Sequence, residues 1–556
     1  MDDGRAGSGS GPVAGSGPPG LPRDLLAAAS RLEGALADGD ERAAAGVVEP
    51  DGLAVRDGAV LEGDDGLAGR APGGRRPGET WPGGRWPGER WPRRVHVRAL
   101  ADDVVATTTE AERRDGGAVV ETRVWRRGVG GAWCVALAHA SASPAAVPPE
   151  PLLDDAVWSV APPTTGALLG GALEGPLAWV RVAVQDVVAV AGHRVGAGVP
   201  AWLARAPLER ACAPALQRLL DAGADVVGVA QTGELGVARD GRNPHYGAPA
   251  NPAAPGRTTG GAGGGAAAAV ASGSADVALG SDAGGSLRVP ASWCGLHAFR
   301  PTRGAVPLDG LLPVSPSTDA VGVLARDGRL LHAAARALLD GPDGPPQEPT
   351  ALLRSDELAG LAEPSTASAA DAALLAVAVA TGLPVEAVPP SALDAEDLAG
   401  WQRAARLVAD AEAWRCHGRF ALDHPGALGP EVEGRLRAGG EVPPDELARA
   451  RAELDAARQR LASLLAGGRL LCLPATAGPA PTAEAVDPVE AADGDGGAAT
   501  DRLVAPAAVG GLPALVLPWG RAGHLPVGLQ VLAAPGADGV LLALLHRLVP
   551  PRELPV

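Results

Sequence analysis

The chain of 556 residues contains no lysine and no isoleucine, a single tyrosine (Tyr246), and only Phe299 and Phe420 as phenylalanines. Alanine, glycine, proline, arginine, valine and leucine take their places, as expected from a very GC-rich codon set. A missing lysine at any one position therefore says little about selection there. A core built from such residues fills space with small side chains, which calls for close backbone approach. Positive charge is also scarce: 65 acidic residues face 48 basic ones, for a net charge of −17. That balance excludes general nucleic-acid binding unless a local basic stripe exists. The cysteines are Cys134, Cys212, Cys294, Cys416 and Cys472. They form no C-x-x-C pair, so neither a zinc site nor a disulfide framework is indicated. No uninterrupted apolar run reaches the ~18 residues of a membrane span. The opening "MDDGRAGSGSGPVAGSGPPG" is acidic and Gly/Ser-rich, unlike a signal or transit peptide. The expectation is a cytoplasmic protein with no nucleic-acid or membrane partner and no cofactor or metal.

The length calls for two or more domains. Residues 1–21 read as a disordered tail. From Arg23 to Leu36, "RDLLAAASRLEGAL" places Leu25, Leu26, Ala29, Leu32, Ala35 and Leu36 on one helical face. A low-complexity insert at about 63–94 carries "PGETW", "PGGRW" and "PGERW", ending at Trp81, Trp86 and Trp91. It reads as a loop or as an adhesive Arg/Trp surface. Strand-like runs follow: "RRVHVRAL", "DDVVATTT", "AVVETRVWRR" and "AWCVALAHASAS". The last two alternate in period two around "GVGG". One helix before a curved antiparallel sheet makes residues 22–142 a small α+β domain. Trp125 and Trp133 are expected in its core or pocket, and His139 at the end of a strand. Residues 143–151, "SPAAVPPEP", read as a linker.

From 152 to 556 the pattern is α/β. "WVRVAVQD", "DVVGVAQ" and "ADVALGSD" read as buried strands. "LERACAPALQRLLDAGA" reads as a helix with Leu208, Ala211, Cys212, Ala215, Leu216, Leu219 and Leu220 inward. "GGGAAAAVASG" reads as a helix of small residues, and residues 474–500 as a long surface loop over the site. The C-terminal stretch supplies two strands and a closing helix.

The chemistry concentrates in residues 258–307. There "GSDAGGSLRVP" presents Ser286 after two glycines and before "LRVP", which reads as strand-like. Glycines 260, 261, 263, 264 and 265 allow tight folding and open a helix. Gly284 and Gly285 place free N–H groups just before Ser286, the arrangement an oxyanion hole needs. Asp282 and Arg288 bracket the serine and are expected to pair and brace the loop.

This stretch closely resembles the amidase signature family. The likeness extends to "GPLAWVRVAVQD", "DAGADVVGVAQTGELGVARDGRNPHYGAPANP", "LLPVSPSTDAVGVLARD" and "GLPALVLP…LPVGLQVL", so it spans about residues 173–550. The ending "VETRVWRR…AWCVALAHAS" makes residues 22–142 similar to the cone-shaped nuclear-transport-factor/cystatin-like domains, some of which are fused to amidases. The resemblance implies a mixed sheet flanked by helices and amide hydrolysis by a serine nucleophile, a bridging serine and a lysine base. The nucleophile falls on Ser286, and the oxyanion-hole amides on Ala283, Gly284, Gly285 and Ser286. The family's "GGSS" start reads Gly260-Gly261-Ala262-Gly263, so Ala262 occupies the bridging-serine position. The family's "VAVKD" strand reads Val182-Ala183-Val184-Gln185-Asp186, so Gln185 occupies the lysine position.

Serine attacks only when a neighbour takes its proton. Gln185 is no base near neutral pH, and Ala262 relays nothing. The site thus points to impaired hydrolysis on a hydrolase scaffold that takes a small amide-containing ligand. Three alternatives stay open. His245, in "NPHYG", is a substitute base or a loop residue. The protein is a binding partner of an active homologue. Or it is an oligomer built through the N-terminal domain. Asp186 reads as a loop-stabilising carboxylate, and Cys294 as a small buried residue.

Overall fold

The chain divides into two compact units, Met1–Pro148 and Pro149–Val556. The computed structural model describes residues 48–56, 59–62, 94–101, 104–112, 118–127 and 133–142 of the first as strands. Of the second it describes residues 154–549, except 164–165, 239, 340–347 and 484–494.

The first unit holds one six-stranded sheet, in the order Ala59–Glu62, Val48–Arg56, Trp133–Ala142, Ala118–Arg127, Val104–Glu112, Arg94–Ala101. Neighbours are antiparallel except Val48–Arg56, which runs parallel to Trp133–Ala142. The four expected strand runs are all strands. The first two strands escaped sequence reading because "VEPDGLAVR" carries Pro50, Asp51 and Gly52, which signal a turn. The tail, the helix expected over 23–36, the tryptophan pentads and the linker lie outside the described residues.

The second unit is built on an eleven-stranded mixed sheet flanked by helices. Across it the strands are Val385–Ala387, Ala351–Arg354, Arg469–Pro474, Leu525–Leu532, Ala514–Ala522, His297–Arg300, Val321–Ala325, Val277–Ser281, Arg181–Gln185, Asp225–Ala230 and Trp158–Val160. The site depends on three of these. Val277–Ser281 runs parallel to Arg181–Gln185 in the register Val277↔Val182, Ala278↔Ala183, Leu279↔Val184. Asp225–Ala230 lies parallel on the other side of Arg181–Gln185. Their carboxyl ends therefore point the same way and deliver Ser281, Gln185 and Ala230 to one edge of the sheet. Loops at such an edge are where open α/β sheets bind ligands.

Small side chains set the packing. The helix Gly264–Ala271 is buried from Gly264 through Val270. A Cβ at Gly265 would lie 2.5 Å from the Gln231 carbonyl oxygen, so only glycine lets this helix touch the sheet. The helix expected from Leu208 begins at Pro214. Proline has no N–H to give and stands well at a helix start, which leaves Leu208 57% exposed rather than inward. The helix Pro364–Thr381 is long and apolar enough to cross a membrane by length and composition. In this structure Ala369, Ala370, Ala373, Leu374 and Val377 are its buried face, and it packs on the strands Ala514–Ala522 and Leu525–Leu532. Three further helices, Ala395–Asp423, Pro430–Glu441 and Pro444–Leu464, form a layer with Trp401, Val408, Leu454 and Leu461 at its core.

Candidate active site

Ser286 sits in the loop between the strand Val277–Ser281 and the helix Arg288–Trp293. The run "LRVP", expected to be strand-like, is the start of that helix. Pro290 stands in its first turn, where the missing N–H costs nothing. Arg288 is fully buried and turns its side chain back onto the loop. Its Nε and Nη2 each donate to Asp282 at 3.0 Å, and its Nη1 donates to the Val504 carbonyl and to Gln530 Oε1. Arg300 Nη1 donates to the Asp282 carbonyl and, at 3.3 Å, to its carboxylate. Burial pushes the Asp282 pKa up. The guanidiniums of Arg288 and Arg300 and the Gly285 N–H outweigh it and hold the carboxyl well below the usual range. Burial pushes Arg300 down to about 10 against the pull of Asp282, so both ions persist at neutral pH.

This brace changes the expected oxyanion hole. The Gly285 N–H donates to Asp282 Oδ1 at 2.9 Å, so it belongs to the brace and not to a ligand. The amides of Ala283, Gly284 and Ser286 have no hydrogen-bond partner among the described residues. Gly285 has φ +104°, and a Cβ there would lie 3.1 Å from Val504 Cγ2. Glycine is needed for both reasons.

Gln185 is fully buried at the end of its strand. Its Oε1 accepts from the Ser281 N–H at 2.9 Å, and its Nε2 donates to Thr232 Oγ1 at 2.9 Å. The Thr232 hydroxyl in turn donates to the Ala262 carbonyl at 3.2 Å. Ala262 is buried, and the Gly261–Ala262 peptide is cis. Its neighbour Gly263 donates to the Ser286 carbonyl at 3.1 Å, tying this loop to the serine loop. The lysine position is thus filled by a neutral amide with both ends engaged. Among the described residues no side chain hydrogen-bonds the Ser286 hydroxyl.

Around this centre, Asp186 accepts from the Gly196 N–H at 2.8 Å. Burial pushes its pKa up to about 7 against that bond. Glu234 is buried, accepts from the Gly429 N–H, and meets His245 Nε2 at 3.0 Å. Burial raises the Glu234 pKa, while Gly429 and His245 oppose it. Asn243 links this pair to the centre, donating to the Thr232 carbonyl and accepting from the His245 N–H. Cys294 is buried, and burial pushes its thiol far above the ordinary range. Among the described residues no three His, Cys, Asp or Glu side chains gather to hold a metal. Residues from Asp495, expected in a surface loop, are helical to Gly510, and that helix carries Val504 onto Gly285. Thr232, Arg300, Val504 and Gln530 had no sequence signal, because each reaches the site from a distant strand end or helix.

A serine presented on a glycine loop beyond the carboxyl ends of parallel strands, within a mixed sheet, is a scaffold of the serine hydrolase kind. Residues 154–395 match the family model Amidase. The chain is 30% identical to Amidase 1 of Arabidopsis thaliana over 392 residues, covering 66% of this chain and 91% of that protein. A crystal structure of an amidase is 32% identical with a TM-score of 0.59, covering 67% of this chain and 85% of that one. The structure of 6-aminohexanoate cyclic dimer hydrolase is 26% identical with a TM-score of 0.59, covering 68% and 86%. The chain belongs to the amidase signature family.

Proposed function

We propose that the protein keeps the amide-hydrolase scaffold but has lost the proton path that would activate Ser286. The observation that supports this is the closed neutral chain Ser281–Gln185–Thr232–Ala262 where a base and a relay are needed. Gln185 takes no proton near neutral pH, and Ala262 offers only a methyl group. Without its base, a triad hydrolase retains roughly 10³–10⁴-fold acceleration over water, from binding and the oxyanion hole alone. The N-terminal unit, as a nuclear-transport-factor/cystatin-like module able to join copies of the chain, belongs to the same proposal.

The test is ammonia release from a panel of simple amides by the full chain and by the double variant Gln185→Lys/Ala262→Ser. No release by the parent and clear release by the double variant is the expected pair of results. Release by the parent that vanishes in Ser286→Ala defeats the proposal. The second reading, an active hydrolase with a substitute base, rests on the Glu234–His245 pair, where a buried carboxylate orients an imidazole. It requires His245→Ala to abolish that release.

A further inference from the structure

We infer that the Ser286 loop is a receptor for a carboxylate rather than for a neutral amide. This rests on the reading of Ser286 as a hydroxyl without a base. The loop offers donors: the amides of Ala283, Gly284 and Ser286, free of partners among the described residues, and the Ser286 hydroxyl, which keeps its proton when nothing removes it. Ala283 and Gly284 are half-buried and stay within reach of solvent, while Ser286 is 9% exposed.

A primary amide brings a carbonyl and an NH₂ group, and the NH₂ needs acceptors. The acceptor side chains of this centre, Gln185 and Thr232, are buried and already hydrogen-bonded. Gln185 Oε1 takes the Ser281 N–H, and Thr232 Oγ1 takes the Gln185 NH₂. Ala262 carries no hydroxyl where the family has one. A carboxylate asks only for donors. A buried polar group left unpaired costs about 1–3 kcal/mol, which disfavours the amide.

Charge does not decide between the two ligands, because Asp282 and Asp319 together balance Arg288 and Arg300. Beneath the loop two guanidiniums, Arg288 and Arg300, face one carboxylate, Asp282. Arg300 Nε remains buried without a partner. The next carboxylate, Asp319, acts on Arg300 and is held by the amides of Val314 and Ser315. Ala283 packs against the cluster of Ala197, Val199, Leu235, Val237, Val314 and Phe420.

The experiment is calorimetric titration of the full chain with matched probes, hexanoate and hexanamide, alongside ammonia release from hexanamide. Hexanoate is expected to bind saturably, at least about fivefold tighter than hexanamide, since that is the lower end of what one unpaired polar group costs. Ser286→Ala, with an unchanged denaturation midpoint, is expected to weaken hexanoate about tenfold by removing one charge-assisted hydrogen bond. Equal or tighter binding of hexanamide, binding of neither probe, or hexanoate binding untouched by Ser286→Ala overturns the inference. Ammonia release that depends on Ser286 overturns the underlying proposal instead, so the two failures are distinct.

Discussion

Replacing Arg288 with methionine removes the cation that organises the nucleophile loop while keeping a long apolar side chain. Four hydrogen bonds are lost: two to the Asp282 carboxylate, one to the Val504 carbonyl and one to Gln530 Oε1. Asp282 stays fully buried, with Arg300 as its only remaining counter-ion among the described residues. Breaking a buried ion pair from one side costs about 3–5 kcal/mol, because the surviving charge is left uncompensated. The orphaned Val504 and Gln530 acceptors add to the cost without adding linearly. The expected loss is therefore at least about 3 kcal/mol, read as a lower urea midpoint at unchanged slope by far-ultraviolet ellipticity. The sign of its pH dependence follows from Asp282, whose native pKa lies below the unfolded value of 3.8. The pair's contribution is present above that value and fades as pH falls. Arg326→Met is the matched control. Arg326 pairs with Asp276 at 3.1 Å but is 44% exposed, and such a pair contributes less than about 1 kcal/mol. If Arg288→Met lies within about 1 kcal/mol of the parent, the buried brace does not hold this loop and the reasoning fails.

Burial pushes the Asp186 pKa up to about 7, well above the usual carboxylate range, so its charged form is disfavoured in the fold. Its effect on stability is nil below about pH 4 and grows as pH rises to about 7. Asp186→Asn should accordingly raise the urea midpoint at pH 8 by up to about 4 kcal/mol of stability and do little at pH 4. Equal effects at both pH values would contradict this. Gly285→Ala forces a side chain into a left-handed backbone 3.1 Å from Val504. It should destabilise by at least about 1–2 kcal/mol and weaken hexanoate binding, and a variant that matches the parent in both would show that the loop yields. Asp327→Ala removes the side-chain cap that accepts from the Arg329 and Leu330 amides. It should cost about 1 kcal/mol in the same titration without touching the site.

Much of this was legible in the chain itself. Gly/Ala runs and period-two valines mark the central strands and the helix Gly264–Ala271 because small buried residues tolerate few other uses. Ser286, Gln185 and Ala262 fall on one sheet edge because two parallel strands end together there. Other features were not legible. The helix starting at Arg288 was hidden by its valine and proline, which also suit a strand end. The Gly285 amide looked free in sequence, but the Asp282 side chain three residues earlier turns to take it. Thr232, Arg300, Val504 and Gln530 act through contacts 18 to 242 residues apart, and no local pattern encodes such pairings. The helices between Ala395 and Leu464 went unread because Ala, Arg and Glu dominate them, with few large apolar residues to mark a face.

The central claim is that Ser286 is presented but not activated. It is tested most directly by incubating the full chain with a fluorophosphonate and reading the adduct by intact mass. The account predicts no adduct on the parent, and an adduct on Gln185→Lys/Ala262→Ser that disappears when Ser286→Ala is added. Stoichiometric labelling of Ser286 in the parent chain at neutral pH would contradict it.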